Sequence, residues 1–258
     1  MKDKKNLFSL EKKVALVIGG QGKLGSEICL ALSRQGAKVI SASRAKNLKK
    51  DLSRKFENLS VEYIQMDASN EKEVKRNVKL IEKKYGNIDI LVNSASWRPM
   101  NKFMKDSVKN WEKSLQVNGS SLFVPSRIIG EKMASNRKGS IINISSIYGL
   151  NAPPMSIYEG SDFITEPDYP FLKFGCVGLS KYLSSYFAKD NVRVNVIAPG
   201  GIENDQSSIF KRKYNKMTPM GKMASAHDIT GSVIFLASDQ SKYITGVVLP
   251  VDGGWSSV

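Results

Sequence analysis

The chain has 258 residues, 41% of them hydrophobic, and 39 Lys+Arg against 24 Asp+Glu give it a formal net charge of +15. That length predicts one large α/β domain with a sizeable core; no apolar run is long enough to cross a bilayer, and the start MKDKKNLFSLEKK lacks the apolar centre of a secretory signal, so a cytoplasmic protein is expected. The lysines fall in short groups at 2–5, 46–55, 72–84 and 211–216 rather than in one stripe interleaved with aromatics, which argues for solvated helix faces and against a nucleic-acid partner. An anionic small molecule or an acidic carrier protein is the other reading of that excess.

In chain order, Val14–Ile18 (VALVI) is wholly apolar between charge and glycines, the pattern of a parallel strand buried on both faces. GGQGKLG follows, with a helical pattern over Lys23–Arg34. Gly20, Gly22 and Gly25 spell the dinucleotide fingerprint behind Gly19. Glycines there permit a tight turn, let backbone approach a pyrophosphate and leave a helix N-terminus free for anionic oxygens. A second strand, 38–42, ends at Ser43 and Arg44, where NAD-binding folds place an acid for the ribose 2′-hydroxyl. With no acid there, Arg44, helped by Ser43 and by Lys23 of the glycine loop, points to NADP(H) in preference to NAD(H); otherwise Arg44 is a surface arginine.

A helix over 46–57 leads to strand Val61–Gln65 and Met66-Asp67-Ala68. Asp67 can accept from an adenine amino group or cap the helix starting near Asn70. Helix Glu71–Tyr85 and a strand over 88–92 complete another βαβ unit, which opens into NSAS and then Trp97-Arg98-Pro99. A strand over 140–144 delivers Ser145 and Ser146 to the carboxyl edge of the sheet, where open α/β folds bind ligands. Tyr169 and Lys173 lie four apart on one helix face, so the ammonium can lower the phenol pKa and make Tyr169 a general acid. Taken alone, that pair is an ordinary surface helix face. A strand over 192–198, a polar basic segment over 203–223, a helix over 228–237 preceded by the sole histidine, His227, and a strand over 245–250 finish the chain. His227 has no nucleophile or metal ligand spaced to use it. Cys29 and Cys176, far apart in helical patterns, read as reduced buried thiols, and no metal site is expected.

Strand-GGxGxxG, an acid after the third strand, LVNSA after the fourth, INISS after the fifth, Tyr169 with Lys173, and VRVNVIAPGGI together resemble the short-chain dehydrogenase/reductase family over nearly the whole chain. The resemblance implies a single Rossmann domain, a doubly wound sheet of about seven parallel strands with helices on both faces. It also implies a small-molecule carbonyl or alcohol substrate, hydride transfer with a nicotinamide cofactor, no metal, no membrane, and assembly into a tetramer or dimer. By alignment Ser146 is the serine that bonds the substrate oxygen, Tyr169 gives or takes the proton, and Lys173 lowers the tyrosine pKa and binds nicotinamide ribose. Asn118 of VNGSSLF matches the asparagine that holds a water in a proton relay to the lysine. The implied cofactor contacts are Gly19, Gly22, Lys23, Leu24, Gly25, Ser43, Arg44, Asp67, Ala68, Asn93, Ala95, Tyr169, Lys173, Pro199, Gly200 and Ile202. The segment 203–223 corresponds to a mobile substrate lid, whose Lys211, Arg212, Lys213 and Lys216 either meet an anionic substrate or are solvated.

Several positions depart from the family pattern. The interval between Ser146 and Tyr169 is long, so 151–168 is an insertion expected to lie as a loop over the site. Tyr158 is nearer the usual distance from Ser146, but Asp162 stands four residues after it, which leaves Tyr169 with Lys173 as the better register. NSAS lacks the second asparagine and the glycine of the family's NNAG. Lys23 replaces the middle glycine of the short branch, and Gly19, Gly22 and Gly25 are spaced as in the longer, sugar-nucleotide-acting branch. YEGSDF, YPFLK and APGGI resemble members associated with bacterial surface-sugar and flagellin-glycan synthesis, such as legionaminate pathways. The alternatives are a 3-oxoacyl-carrier-protein reductase, which a basic surface suits, and a catalytically silent nucleotide-binding or regulatory protein on the same fold.

Overall fold

The structure, a computed structural model, describes residues 6–101, 103–161 and 163–258. The lysine group at 2–5 and Asp162 lie outside the described residues. Among the described residues seven strands form one sheet in the order β3-β2-β1-β4-β5-β6-β7: β1 (Val14–Ile18), β2 (Lys38–Ser43), β3 (Val61–Gln65), β4 (Ile90–Asn93), β5 (Gly139–Ile144), β6 (Val192–Pro199) and β7 (Val248–Val251). Every adjacent pair is parallel. Strand order reverses between β1 and β4, the switch point beside which such sheets open a crevice at their carboxyl ends.

β1 shows why VALVI is apolar throughout. Leu16 and Ile18 join one core with Val124, Ile128 and Leu183 of α5 (Ser120–Ser135) and α6 (Asp168–Phe187). Ala15 and Val17 join the opposite core with Ile28 and Leu32 of α1 (Lys23–Arg34) and with Ile229 and Val233 of the last long helix (Ala226–Ala237). Alternate side chains of one strand therefore feed two layers of helices. Both cysteines are buried and free, and burial pushes the Cys29 thiol up to about 12, which leaves it inert.

The expected elements are present, with boundaries moved for local reasons. The helix expected over 46–57 is α2 (Lys50–Glu57), because Gln21 donates to Asn47 O and accepts from Lys49 N, holding 46–49 as a turn. Helix α3 (Glu71–Tyr85) is capped by Asn70, whose side chain accepts from the Lys72 and Glu73 amides, and not by Asp67. The helix expected from 228 begins at Ala226, since Ser225 and Asp228 form a capping box, and His227 is exposed in its first turn. The last strand starts at Val248 rather than 245; Gly246 has φ +76° and Thr245 Oγ1 accepts from Val194 N, so the approach to it is a turn. Helix α4 (Val108–Ser114) continues into α5 through a π-type turn, Leu115–Gly119.

The segment 151–168 contains a short 3-10 turn, Met155–Ile157, and gives its last residue, Asp168, to α6. It packs on α7 (Ser208–Met217): the rings of Tyr158, Phe163 and Phe210 meet at 4.9 to 5.6 Å, and Tyr214 stacks on Trp255 at 4.4 Å. Lys213 Nζ donates to Ser156 O at 2.8 Å and to Glu159 O at 2.9 Å, while Lys211 pairs with Glu203 at 2.9 Å. These two lysines, read from the sequence as meeting an anionic substrate or solvent, instead tie α7 to its neighbours. Among the described residues no helix is long and apolar enough to cross a membrane.

Candidate active site

The turn after β1 can exist only with glycine at its ends. Gly19 has φ +81°, and a Cβ there would stand 2.7 Å from Ala95 N; one at Gly25 would stand 2.2 Å from Gly19 O. The NSAS loop after β4 is thus pressed against the glycine loop. Between them opens a cavity of about 350 Å³, lined by Gly19, Gly22, Lys23, Leu24 and Gly25 at the head of α1. Ser43 and Arg44 after β2, Asp67 and Ala68 after β3, and Ala95 after β4 complete it. The Ser43 hydroxyl accepts from Gln21 Nε2 and meets the Tyr63 hydroxyl at 3.0 Å, and Asp67 Oδ1 accepts from the amide and hydroxyl of Ser69. Lys23 reaches the other way, donating to Glu203 O and to Asn204 Oδ1, and so bridges the glycine loop to the segment after β6. This cradle fits a dinucleotide: its backbone is free of Cβ atoms where close approach is needed, and it sits at a helix N-terminus.

Asn93 is buried at the end of β4 and works as a sheet strut. Its Nδ2 donates to Ser126 Oγ at 3.0 Å and to Asn143 Oδ1 at 2.8 Å, and Asn143 in turn donates to Ser180 Oγ of α6.

Ser146, Tyr169 and Lys173 converge at the carboxyl edge of the sheet, on a cavity of about 710 Å³ that Pro199, Gly200 and Ile202 also line. Lys173 Nζ donates to Ile144 O at 2.9 Å and lies 5.4 Å from the centroid of the Tyr169 ring. Ser145 supports the arrangement from behind, donating to Lys173 O at 2.8 Å; a Cβ on Gly149 would collide with both partners. Burial raises the Tyr169 pKa, but the charges of Lys173 and Arg98 and hydrogen bonds from Ser146 and Arg98 outweigh it, and the phenol is held below its ordinary value. The competing Tyr158 is placed otherwise: its hydroxyl donates to Tyr148 at 2.9 Å and meets Thr165 Oγ1 at 2.6 Å, and burial raises its pKa.

Asn118 stands on the π-type turn and faces a separate cavity of about 270 Å³ that shares Tyr169 and Lys173 as a wall. Its side chain is fully used, accepting from Trp97 N at 2.8 Å and donating to Trp97 O at 2.7 Å and to Ser114.

Comparison with known proteins decides the family. The family model described as enoyl-(acyl carrier protein) reductase matches residues 21–256. The chain belongs to the short-chain dehydrogenase/reductase family. It is 34% identical over 253 residues to a 3-oxoacyl-acyl-carrier-protein reductase of Chlamydia muridarum, covering 95% of this chain and 98% of that one. It is 30% identical over 256 residues to the post-translational flagellin modification protein A of Campylobacter coli, with 95% and 99% covered. A short chain dehydrogenase from Leptospira borgpetersenii with bound NAD+ superposes with a TM-score of 0.87 at 32% identity, covering 96% of this chain and 94% of that one. A gluconate 5-dehydrogenase from Burkholderia cenocepacia in complex with NADP and tartrate gives 0.87 at 26%, covering 98% of each. This short-chain dehydrogenase/reductase is accordingly an NAD(P)-dependent oxidoreductase on a seven-stranded Rossmann-like sheet.

Three neighbours of the site escaped sequence reasoning. Arg98 holds its guanidinium carbon 3.8 Å from the Tyr169 ring centroid. Asp168 and Ser114, both buried, share a hydrogen bond behind Tyr169. Ser114 lies one helical turn before Asn118, and Asp168 directly precedes Tyr169, so proximity to the motif residues was the available signal; Arg98 had only its place in the loop after a sheet strand.

Proposed function

We propose that the protein interconverts a carbonyl and a secondary alcohol on a sugar or sugar-derived substrate, with NADP(H) preferred over NAD(H). The observation that carries this reading is the convergence of Ser146, Tyr169 and Lys173 on one cavity beside the glycine-loop cradle. Ser146 bonds the substrate oxygen, Tyr169 gives or takes its proton, and Lys173 keeps the phenol acidic. A nicotinamide cofactor supplies or accepts the hydride when bound. Gly19, Gly22, Leu24, Gly25 and the backbone of Lys23 would hold its pyrophosphate end, Asp67, Ala68 and Ala95 its adenine side and middle with Asn93 bracing the sheet behind them, and Pro199, Gly200 and Ile202 its nicotinamide side. Ser43 and Arg44 would meet the 2′-phosphate: Arg44 lines the cradle just after β2, where no acid stands. Asn118 holds a relay water through its backbone, since its side chain is engaged.

A sugar-type substrate is supported by likeness to the flagellin modification protein and to a dehydrogenase named for gluconate. The second reading, reduction of a 3-oxoacyl carrier-protein thioester, is favoured by the likeness to the reductase of Chlamydia muridarum and by the +15 charge. On either reading the protein is one cytoplasmic domain, its segment 203–223 is the substrate lid, and copies associate; Phe171, Phe174, Tyr182 and Tyr186 of α6 stand exposed for such contact.

The test follows NADPH absorbance across sugar nucleotides, keto-sugars and acyl thioesters with wild type and Tyr169→Phe. Turnover of keto-sugars that is abolished in the variant, with cofactor binding nearly intact, is the expected result. Unchanged turnover in Tyr169→Phe rejects the mechanism, and turnover confined to thioesters selects the second reading.

A further inference from the structure

Among the described residues four charged side chains line the large cavity: Lys23, Arg98, Lys173 and Asp205. Two of the three cations are already occupied, Lys23 by Glu203 O and Asn204 Oδ1 and Lys173 by Ile144 O. Arg98 makes no ion pair with any described residue. Its guanidinium lies over the ring of Tyr169, 3.8 Å from the centroid, and bonds the phenol with part of its fork. Tyr148, Tyr158, Phe163 and Phe210 give the cavity an aromatic wall, and among the described residues Asp205 is the one carboxylate in its lining.

An arginine stacked on a ring keeps the outer edge of its fork free, and that edge matches a planar oxyanion through paired hydrogen bonds. Because the ring beneath it carries the phenol that exchanges the proton, an anion on that fork lies within a few bonds of the reacting carbon. A thioester-linked acyl chain is uncharged at that distance from its 3-oxo group. An oxo acid or hydroxy acid carries its charge there.

We propose that Arg98 binds a carboxylate of the substrate close to the reacting carbon, so that the enzyme acts on oxo acids and hydroxy acids, sugar acids among them. This rests on the assignment of Tyr169 as the proton-transfer group. Before the acid binds, Arg98 also adds to the positive field that favours the phenolate.

The experiment reads binding and turnover separately. Tartrate and gluconate, their uncharged counterparts threitol and sorbitol, and glycerol 3-phosphate are titrated by calorimetry into NADPH-saturated wild type, Arg98→Gln, Arg98→Lys and Tyr169→Phe, with a thermal melt to check that each variant is folded. The carboxylates are expected to bind wild type and Tyr169→Phe, to bind Arg98→Gln about tenfold to a hundredfold more weakly, and to bind Arg98→Lys in between. Absence of carboxylate binding to wild type, equal binding to Arg98→Gln, or polyols binding as tightly as their acids overturns the proposal. Arg98-dependent binding of glycerol 3-phosphate alone also overturns it, in favour of a phosphate subsite. If the carboxylates bind in an Arg98-dependent way while no carbonyl in the NADPH absorbance screen turns over, the anion site stands and the oxidoreductase mechanism fails.

Discussion

Asp168 Oδ2 accepts a 2.5 Å hydrogen bond from Ser114 Oγ, and Asn118 Nδ2 donates to the same hydroxyl at 3.1 Å. The residue before Tyr169 is thereby fastened to the π-type turn that presents Asn118. Both Asp168 and Ser114 are 2% exposed or less, so losing one leaves the other's polar group shielded from bulk water. Asp168→Ala and Ser114→Ala should each cost about 1–3 kcal/mol of stability, the usual penalty for orphaning a buried polar partner. Each should also lower kcat more than it changes KM, because α6 and the turn lose their common anchor. Denaturant unfolding and steady-state kinetics check both, and an unchanged Asp168→Ala would show that the link positions nothing.

The phenol of Tyr169 is held below the 10.0 of a free tyrosine, burial opposing and the Lys173 and Arg98 charges prevailing. Alcohol oxidation needs the phenolate, so its rate should rise with pH and level off above that lowered pKa. Carbonyl reduction needs the phenol and should fall over the same range. Arg98→Gln removes one of the two charges and should move both limbs to higher pH. A pH profile of kcat/KM in each direction reads the shift, and coincident profiles for wild type and variant would exclude Arg98 from tuning the acid.

Arg44 lines the cradle with its guanidinium carbon 5.7 Å from the Trp97 ring centroid, a stacking that leaves its fork free for a phosphate. Arg44→Ala should weaken NADPH about tenfold to a hundredfold and NADH little, since only the former carries a 2′-phosphate. Fluorescence titration of the two cofactors decides this; equal affinities in wild type would remove the argument for NADP(H).

Much of this architecture is legible in the sequence because its strands are buried on both faces and therefore read as short apolar runs, as VALVI does. The glycine loop is legible for a steric reason, the lack of room for a Cβ at Gly19 and Gly25. The pairing of Tyr169 with Lys173 is legible because one helix turn fixes it. What is hidden is adjacency between distant segments. Gln21 ends up holding Asn47 and Lys49, Asp168 meets Ser114, and Arg98 covers Tyr169, and none of these pairs shares a periodic pattern. Likewise Lys213 looks like one more solvated lysine until the carbonyls of Ser156 and Glu159 are seen around it.

That last contact makes the insertion and α7 one packed unit. An exposed ion pair contributes about 0–1 kcal/mol, so Lys213→Met should barely change the melting temperature. It removes the ammonium that gathers two loop carbonyls, however, and should speed proteolysis within 151–168 and raise KM. Limited proteolysis with mass spectrometry locates the cut, and a cut rate equal to wild type would show that the aromatic contacts with Phe210 suffice.

Glu166 is 7% exposed, and neither carboxylate oxygen has a side-chain partner among the described residues. Burial raises its pKa, a hydrogen bond from the Phe103 backbone opposes this, and the nearby carboxylates Asp106 and Asp168 add to the rise. A carboxyl whose folded pKa lies above its unfolded value binds protons more tightly in the native state. Stability then falls as pH rises from the unfolded value of about 4.3 through the raised folded value, and is flat above it. Glu166→Gln keeps the shape and removes the charge, so it should stabilise the protein at neutral pH by on the order of 1 kcal/mol and leave it unchanged or slightly weaker at pH 4. Urea unfolding of both proteins between pH 4 and pH 8 reads the difference as a gap that opens with pH. A gap that closes with pH would mean that the carboxylate is stabilised in place, and that the insertion's entry into α6 depends on its charge.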